Sequence, residues 1–235
     1  MSTFVLIHGA FHGGWCWDRV VPLLEAMGHT LVAPDLPGHG NDQTALVDIT
    51  LQAYVEKVCD ILNMQTERVI LVGHSMGGIV ITQAAERCPS KIKKLVYLAA
   101  ILLGNGSSMP EEESLVKSNL FISEDQSCFA LKEDMIRPAF YADCSDAEVE
   151  WAKSKLTPQP LKPLDQSATT ITTKKNYGSI PRVYIECLHD KAITPATQKK
   201  LYSDMPCEQV ISMATDHSPF LSAPKSLAQH LSSLS

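Results

Sequence analysis

Nothing in this chain reads as a membrane anchor, a polybasic surface or a disulfide framework. No apolar run reaches the roughly 18 residues that a spanning helix needs, so no membrane span is expected. Lys and Arg number 20 against 26 Asp and Glu, a formal charge of −6 with no basic run, which argues against a nucleic-acid partner. The seven cysteines are odd in number and contain no CxxC pair, a pattern of free thiols in a reducing compartment. No basic stretch, apolar core and small-residue cleavage site precede the strand-like run that Thr3 opens, so no signal peptide is expected and the location read from this pattern is cytoplasmic. What is present is ordinary for a globular protein: 45% hydrophobic and 20% charged residues in a chain of 235. At roughly 150 residues per domain, that length makes one core with about half a domain to spare. A chain of this size buries enough surface to need neither metal nor disulfide for its core.

Short apolar runs alternate with longer amphipathic stretches. The runs are Phe4–Ile7, His29–Ala33, Arg68–Val72, Leu95–Leu98, Arg182–Ile185 and a weaker Gln209–Met213. Nearly continuous, β-branched runs of four to six residues suit buried parallel strands. Between them, helices are expected over Trp17–Met27 with Gly28 as a stop, from the cap Thr50 to Met64, over Met76–Cys88 before Pro89, from Thr194–Pro195 to Asp204, and from Pro224 onward. This alternation predicts an α/β fold, a mostly parallel six-stranded sheet flanked by helices. Residues 104–180 break the rhythm with Gly104-Asn105-Gly106, the acidic triplet Glu111-Glu112-Glu113, and Pro138, Pro158, Pro160 and Pro163. Their best regular segment is a helix over Ser145–Leu156. The expected organisation is a core of 1–103 and 181–235, with 104–180 as a helical cap.

Chemistry concentrates at Gly73-His74-Ser75-Met76-Gly77, a G-x-S-x-G pattern directly after a buried strand and directly before a helix. Such a turn lifts a serine hydroxyl above the sheet and sets it beside a helix N-terminus, where negative charge is favoured. A serine is a weak nucleophile and needs a base held by a third group. In the order Ser, acid, His, the acid is Asp190, after the strand Arg182–Glu186, and the base is His217, after the last strand. Both fall at carboxyl ends of strands, where open parallel sheets place their sites. Among rivals, His29 and His230 read as surface or packing residues, His189 neighbours the acid without replacing it, and Asp35 reads as a turn-stabilising carboxylate. Two backbone N–H groups for an oxyanion are expected from Met76 and from Ala10, in the glycine-bearing loop His8–Trp15. His12 in that loop is the one residue singled out for substrate binding, and Trp15 and Trp17 read as packing. No metal ligands are expected.

These residues resemble the α/β-hydrolase superfamily and, within it, the branch of plant methyl esterases and α-hydroxynitrile lyases. The likeness runs through FVLIHGAFHGGWCWDRVVPLLEAMGHTLVAPDLPGHG, RVILVGHSMGG, LVYLAA, CSDAEVEWAKSKLTPQP, RVYIECLHDKAIT and DHS, nearly the whole chain. It implies a serine-hydrolase core under a helical cap, a triad of Ser75, Asp190 and His217, a small ester as substrate, and no cofactor. Association into a homodimer is left open. Lyases of this branch carry threonine where this chain has Gly9 and lysine where it has Ser218, so the likeness sides with ester hydrolysis. It departs from the plant esterases at His217-Ser218 and in the turn Pro37-Gly38-His39-Gly40. A carbon–carbon hydrolase, a thioesterase and a non-catalytic receptor share this pattern, whereas dehalogenases and epoxide hydrolases place aspartate at the nucleophile.

Overall fold

Alternation along the first strand sets the architecture: Phe4 and Leu6 belong to one apolar layer, Val5 and Ile7 to the other. A sheet with two apolar faces must be covered on both. A computed structural model of the chain describes residues 1–107, 114–164 and 171–235. The triplet Glu111–Glu113 lies outside the described residues.

The core elements are β1 Thr3–Ile7, α1 Val21–Ala26, β2 Thr30–Val32, α2 Leu51–Met64, β3 Val69–His74, α3 Gly77–Arg87 and β4 Ile92–Leu98. Residues between β4 and the next core strand form β5 Leu120–Ile122, β6 Cys128–Leu131, α4 Glu133–Phe140, α5 Asp146–Lys153 and β7 Gln159–Pro160. The core then resumes with β8 Arg182–Cys187, α6 Pro195–Asp204, β9 Gln209–Met213, α7 Pro219–Ser222 and α8 Pro224–Ser233. Six strands make one sheet in the order β2-β1-β3-β4-β8-β9, every neighbouring pair parallel. One apolar layer gathers Phe4, Leu6, Val72, Val96 and Ile185 with Leu24 of α1 and Leu227 and Leu231 of α8. The other gathers Val5, Ile7, Leu71, Leu95 and Tyr184 with Val58 and Leu62 of α2, Val80 of α3 and Leu201 of α6. Among the described residues, no helix is long and apolar enough to cross a membrane.

Helix starts follow capping chemistry. Thr50, Ser145 and Thr194 each accept a backbone N–H three residues on, and Ser145 with Glu148 closes a reciprocal capping box. Helix α1 begins at Val21, later than the expected Trp17. Residues Gly14–Trp17 form a 3₁₀ turn instead, and Pro22, which has no N–H, sits in the first turn of α1 where none is needed. Helix α5 stops at Lys153, short of Leu156. The stretch expected to be mostly helical also holds a three-stranded antiparallel sheet, β5-β6-β7, with strands of only two to four residues.

Buried polar bonds tie the last of these strands to the core. Gln159 Nε2–H donates to the Tyr54 hydroxyl at 3.3 Å, which leaves that O–H to donate to His39 Nε2 at 2.9 Å. His39 Nδ1–H then donates to Thr157 Oγ1 at 3.2 Å.

Candidate active site

The turn between β3 and α3 is constrained around Ser75. Its φ of +52° is left-handed, a conformation that costs a non-glycine residue on the order of 1–2 kcal/mol. Backbone bonds hold it there: Ser75 N–H donates to Leu98 O at 3.2 Å, and Ser75 O accepts from Gly78 at 3.0 Å and Ile101 at 3.0 Å. Glycines make the close approach possible. A Cβ on Gly77 would lie 2.7 Å from His8 O and 2.9 Å from Ile7 O, and one on Gly78 would strike Ile101 O. Gly78 thus lets α3 lie close to the backbone that follows β4.

Asp190 and His217, far apart in sequence, meet directly. His217 Nδ1–H donates to Asp190 Oδ2 at 2.7 Å with both side chains buried. Asp190 Oδ1 accepts from the N–H groups of Ala192 at 2.7 Å and Ile193 at 3.0 Å. Its Oδ2 also accepts from Gln198 Nε2 at 3.1 Å. Gln198 is itself fixed: its amide donates to Cys187 O and Ile193 O and its oxygen accepts from Cys187 N. Sequence reasoning missed Gln198, since a polar residue on an otherwise ordinary helix carries no signal of the carboxylate it faces.

Ser75 is linked to this pair through its neighbour. His74 Nε2–H donates to the His217 carbonyl at 2.9 Å, and the two rings lie 4.6 Å apart. The His74 Nδ1 has no partner among the described residues, and burial holds this imidazole well below its ordinary pKa, in the neutral form.

The first loop reaches Ser75 from the other side. A Cβ on Gly9 would lie 2.7 Å from Ser75 Cβ and 2.9 Å from His74 Nδ1, so glycine is what the packing admits. His8 Nε2 accepts from Leu36 N–H at 3.0 Å, which places its proton on Nδ1, and Nδ1–H donates to Gly9 O at 2.8 Å. Across a trans peptide the C=O and the following N–H point in opposite directions. By holding the Gly9 carbonyl, His8 therefore aims the N–H of Ala10. Neither Ala10 nor Met76 N–H has an acceptor among the described residues. Burial pushes His8 down to about 4, so the ring stays neutral.

His12, expected at the substrate, makes its polar contacts with protein. Its Nδ1–H donates to Ala10 O at 2.7 Å, so Nε2 accepts the Tyr141 hydroxyl proton, also at 2.7 Å. The ring is enclosed by Trp15, His74, Phe140, Tyr141 and Phe220, only 1% exposed, with a pKa lowered by burial to about 3. With both nitrogens taken by protein, His12 has none left for a substrate; it braces the loop. Phe11, at φ +67°, is held by Thr157 N–H on its carbonyl at 2.9 Å.

Other expectations can be placed. Asp35 accepts from Gly14 and Asn41 N–H and stabilises its turn. His29 binds Ser232 and packs edge-on against Phe4. Trp17 is buried in the core, and Trp15 stacks on His12 and meets Trp151, so Trp151 packs on the loop. Phe140, unremarked in the sequence, brings its ring within 5.6 Å of the His217 ring. Among the described residues no His, Cys, Asp and Glu cluster could hold a metal ion.

Comparison with known proteins shows the family and the fold. The family described as "Alpha/beta hydrolase family" matches residues 4–230. Methylesterase 1 of Arabidopsis thaliana is 34% identical over 97% of this chain and 93% of its own length. A pyrethroid hydrolase from Sphingobium faniae JZ-2 superimposes with a TM-score of 0.87 at 29% identity, covering 99% of this chain and 96% of that one. Polyneuridine aldehyde esterase gives a TM-score of 0.87 at 26% identity, covering 100% and 99% respectively.

Proposed function

The chain belongs to the alpha/beta hydrolase family as an ester-hydrolysing enzyme, and we propose that it is a serine carboxylesterase acting on small esters through Ser75, His217 and Asp190. The observation that carries this reading is the buried Asp190–His217 bond at 2.7 Å. With Nδ1 committed to the carboxylate, Nε2 is the ring nitrogen available to take a proton from Ser75. In the proposed cycle His217 deprotonates Ser75 as it attacks the ester carbonyl, and Asp190 stabilises the imidazolium. The Ala10 and Met76 amides receive the oxyanion, each worth roughly 10²–10³ in rate. The alcohol leaves with the proton from His217, and water, activated by the same base, frees the acid.

Residues 104–180 are proposed as the cap over this site, supported by Phe140 against His217 and Tyr141 against His12. The reading needs no cofactor. A reducing, cytoplasmic setting is supported by the seven free thiols. The lyase alternative is weakened by the space at Gly9, where any side chain would press on Ser75 and His74.

Ser75→Ala is expected to abolish p-nitrophenyl acetate turnover while leaving the circular dichroism spectrum native. Wild-type turnover by the purified variant would refute the assignment. Because a protonated imidazole cannot act as base, kcat/KM is expected to fall at acid pH.

A further inference from the structure

We propose that Asp216 is a positioning residue that ties the cap to the turn bearing His217, with one carboxylate oxygen for each; this rests on the esterase reading above. Oδ1 serves the base side: it accepts Ser218 N–H at 3.0 Å and the Ser222 hydroxyl at 2.8 Å. Oδ2 serves the cap side, accepting Asp143 N–H at 2.9 Å and the Cys144 thiol at 3.7 Å. Four donors match the roughly four lone-pair positions of a carboxylate. The group is 1% exposed, and among the described residues no cation forms an ion pair with it. A buried carboxylate without a counter-ion depends on its hydrogen bonds, so losing either set leaves charge uncompensated.

The cap residues that Asp216 holds also touch the loop of the acid. The Asp143 carboxylate accepts from His189 Nδ1 at 3.0 Å, and His189 N–H donates to Thr215 O at 2.9 Å. His189 precedes Asp190 and Asp216 precedes His217. One cap turn, Asp143-Cys144, is therefore joined to the immediate neighbours of both members of the acid–base pair. Phe140, three residues before Asp143, lies against the His217 ring. A shift of the cap turn would move that ring relative to Ser75, and misplacement by about 1 Å can cost on the order of 100-fold in rate.

The test compares wild type with Asp216→Ala, Asp216→Asn and Ser222→Ala. Each is assayed by p-nitrophenyl acetate kinetics, by fluorophosphonate titration of Ser75, and by peptide-resolved hydrogen exchange. Asp216→Ala is expected to raise exchange in both 141–146 and 217–222. It should lower kcat per titrated site on the order of 10- to 100-fold with little change in KM. Asp216→Asn has one acceptor oxygen, so it should loosen one of the two segments and give an intermediate kcat. It supplies the test if the alanine variant does not fold. Ser222→Ala should loosen 217–222 alone, with kcat reduced at most about fivefold. Unchanged kcat per titrated site in Asp216→Ala, or exchange raised at 217–222 but not at 141–146, overturns the proposal. In the Asn variant, unchanged exchange in both segments does the same. Labelling of Ser75 in wild type reports separately on the esterase reading: with label present, those outcomes sink only the role of Asp216, and without it the reading fails.

Discussion

On the sheet side of the site, three neutral histidines no more than 1% exposed each hold one backbone carbonyl: His8 that of Gly9, His12 that of Ala10, and His74 that of His217. Residues 133–153, facing them, are joined partly through exposed ion pairs: Arg19–Glu148 to the core, and Arg137–Asp146 and Lys153–Glu133 among themselves. The first arrangement depends on protonation state and hardly on salt; the second shows the reverse. Buried hydrogen bonds thus concentrate where the proposed oxyanion donors and base are aimed, while the proposed cap takes its hold from three buried tethers, His39–Tyr54–Gln159, His12–Tyr141 and Asp216, with a rim of weak pairs.

The largest break in this comparison is acid. His8, His12, His39 and His74 are held by burial at about 4, about 3, about 2 and well below the ordinary value, against 6.5 in an unfolded chain. Below pH 6.5 the unfolded chain binds protons that the folded one refuses, so stability present above that pH is lost as pH falls. Each group costs about 1.4 kcal/mol per pH unit, and four together reach ~5 kcal/mol per unit, against a total of roughly 5–15 kcal/mol. Cooperative unfolding near pH 5 is expected by circular dichroism. A native spectrum at pH 4 would contradict the neutral-histidine account.

Removing one clamp comes next. His8→Ala frees the Gly9 peptide and so the aim of Ala10 N–H. A fall in kcat of about 10- to 100-fold is expected at nearly constant KM, with matching loss of affinity for a trifluoromethyl ketone that mimics the tetrahedral adduct. Equal loss in KM would place His8 in ground-state binding instead.

Tyr141→Phe takes the donor from His12 Nε2 and leaves a buried acceptor unpaired. Destabilisation of about 1–3 kcal/mol is expected in urea unfolding, larger than for any cap ion pair. An unchanged midpoint would mean that the brace between loop and cap carries no energy.

Smallest is Arg19→Gln, which removes the part-exposed pair with Glu148 and leaves the Ser145–Glu148 capping box in place. A change below about 1 kcal/mol is expected, shrinking further in 0.5 M salt. A larger, salt-independent effect would move the cap's hold from tethers to rim.

How much of this was written in the residues depends on contact distance along the chain. Phe4–Ile7, Val69–His74 and the Gly73–Gly77 turn are local patterns, and the sheet and the position of Ser75 follow from them. Thr50, Ser145 and Thr194 act within one helical turn and were equally readable. Gln198, Asp216 and Tyr141 were not, because each matters only through a partner brought near by folding: Asp190, Asp143 and His12. The partners of His12 divide in the same way: Ala10, two residues away, is visible in sequence, whereas the Tyr141 hydroxyl that occupies its second nitrogen is not. Strands of two to four residues, such as Gln159–Pro160, are too short to show a period.

The central claim, a serine nucleophile working through an acyl-enzyme, is tested most directly by rapid acid quench of the enzyme mixed with p-nitrophenyl acetate, followed by peptide mass mapping. The account predicts a transient acetyl group on the peptide containing Ser75, absent in Ser75→Ala. Release of p-nitrophenol with no acetylated Ser75 at any time, or acetylation at another residue that supports turnover, would contradict it.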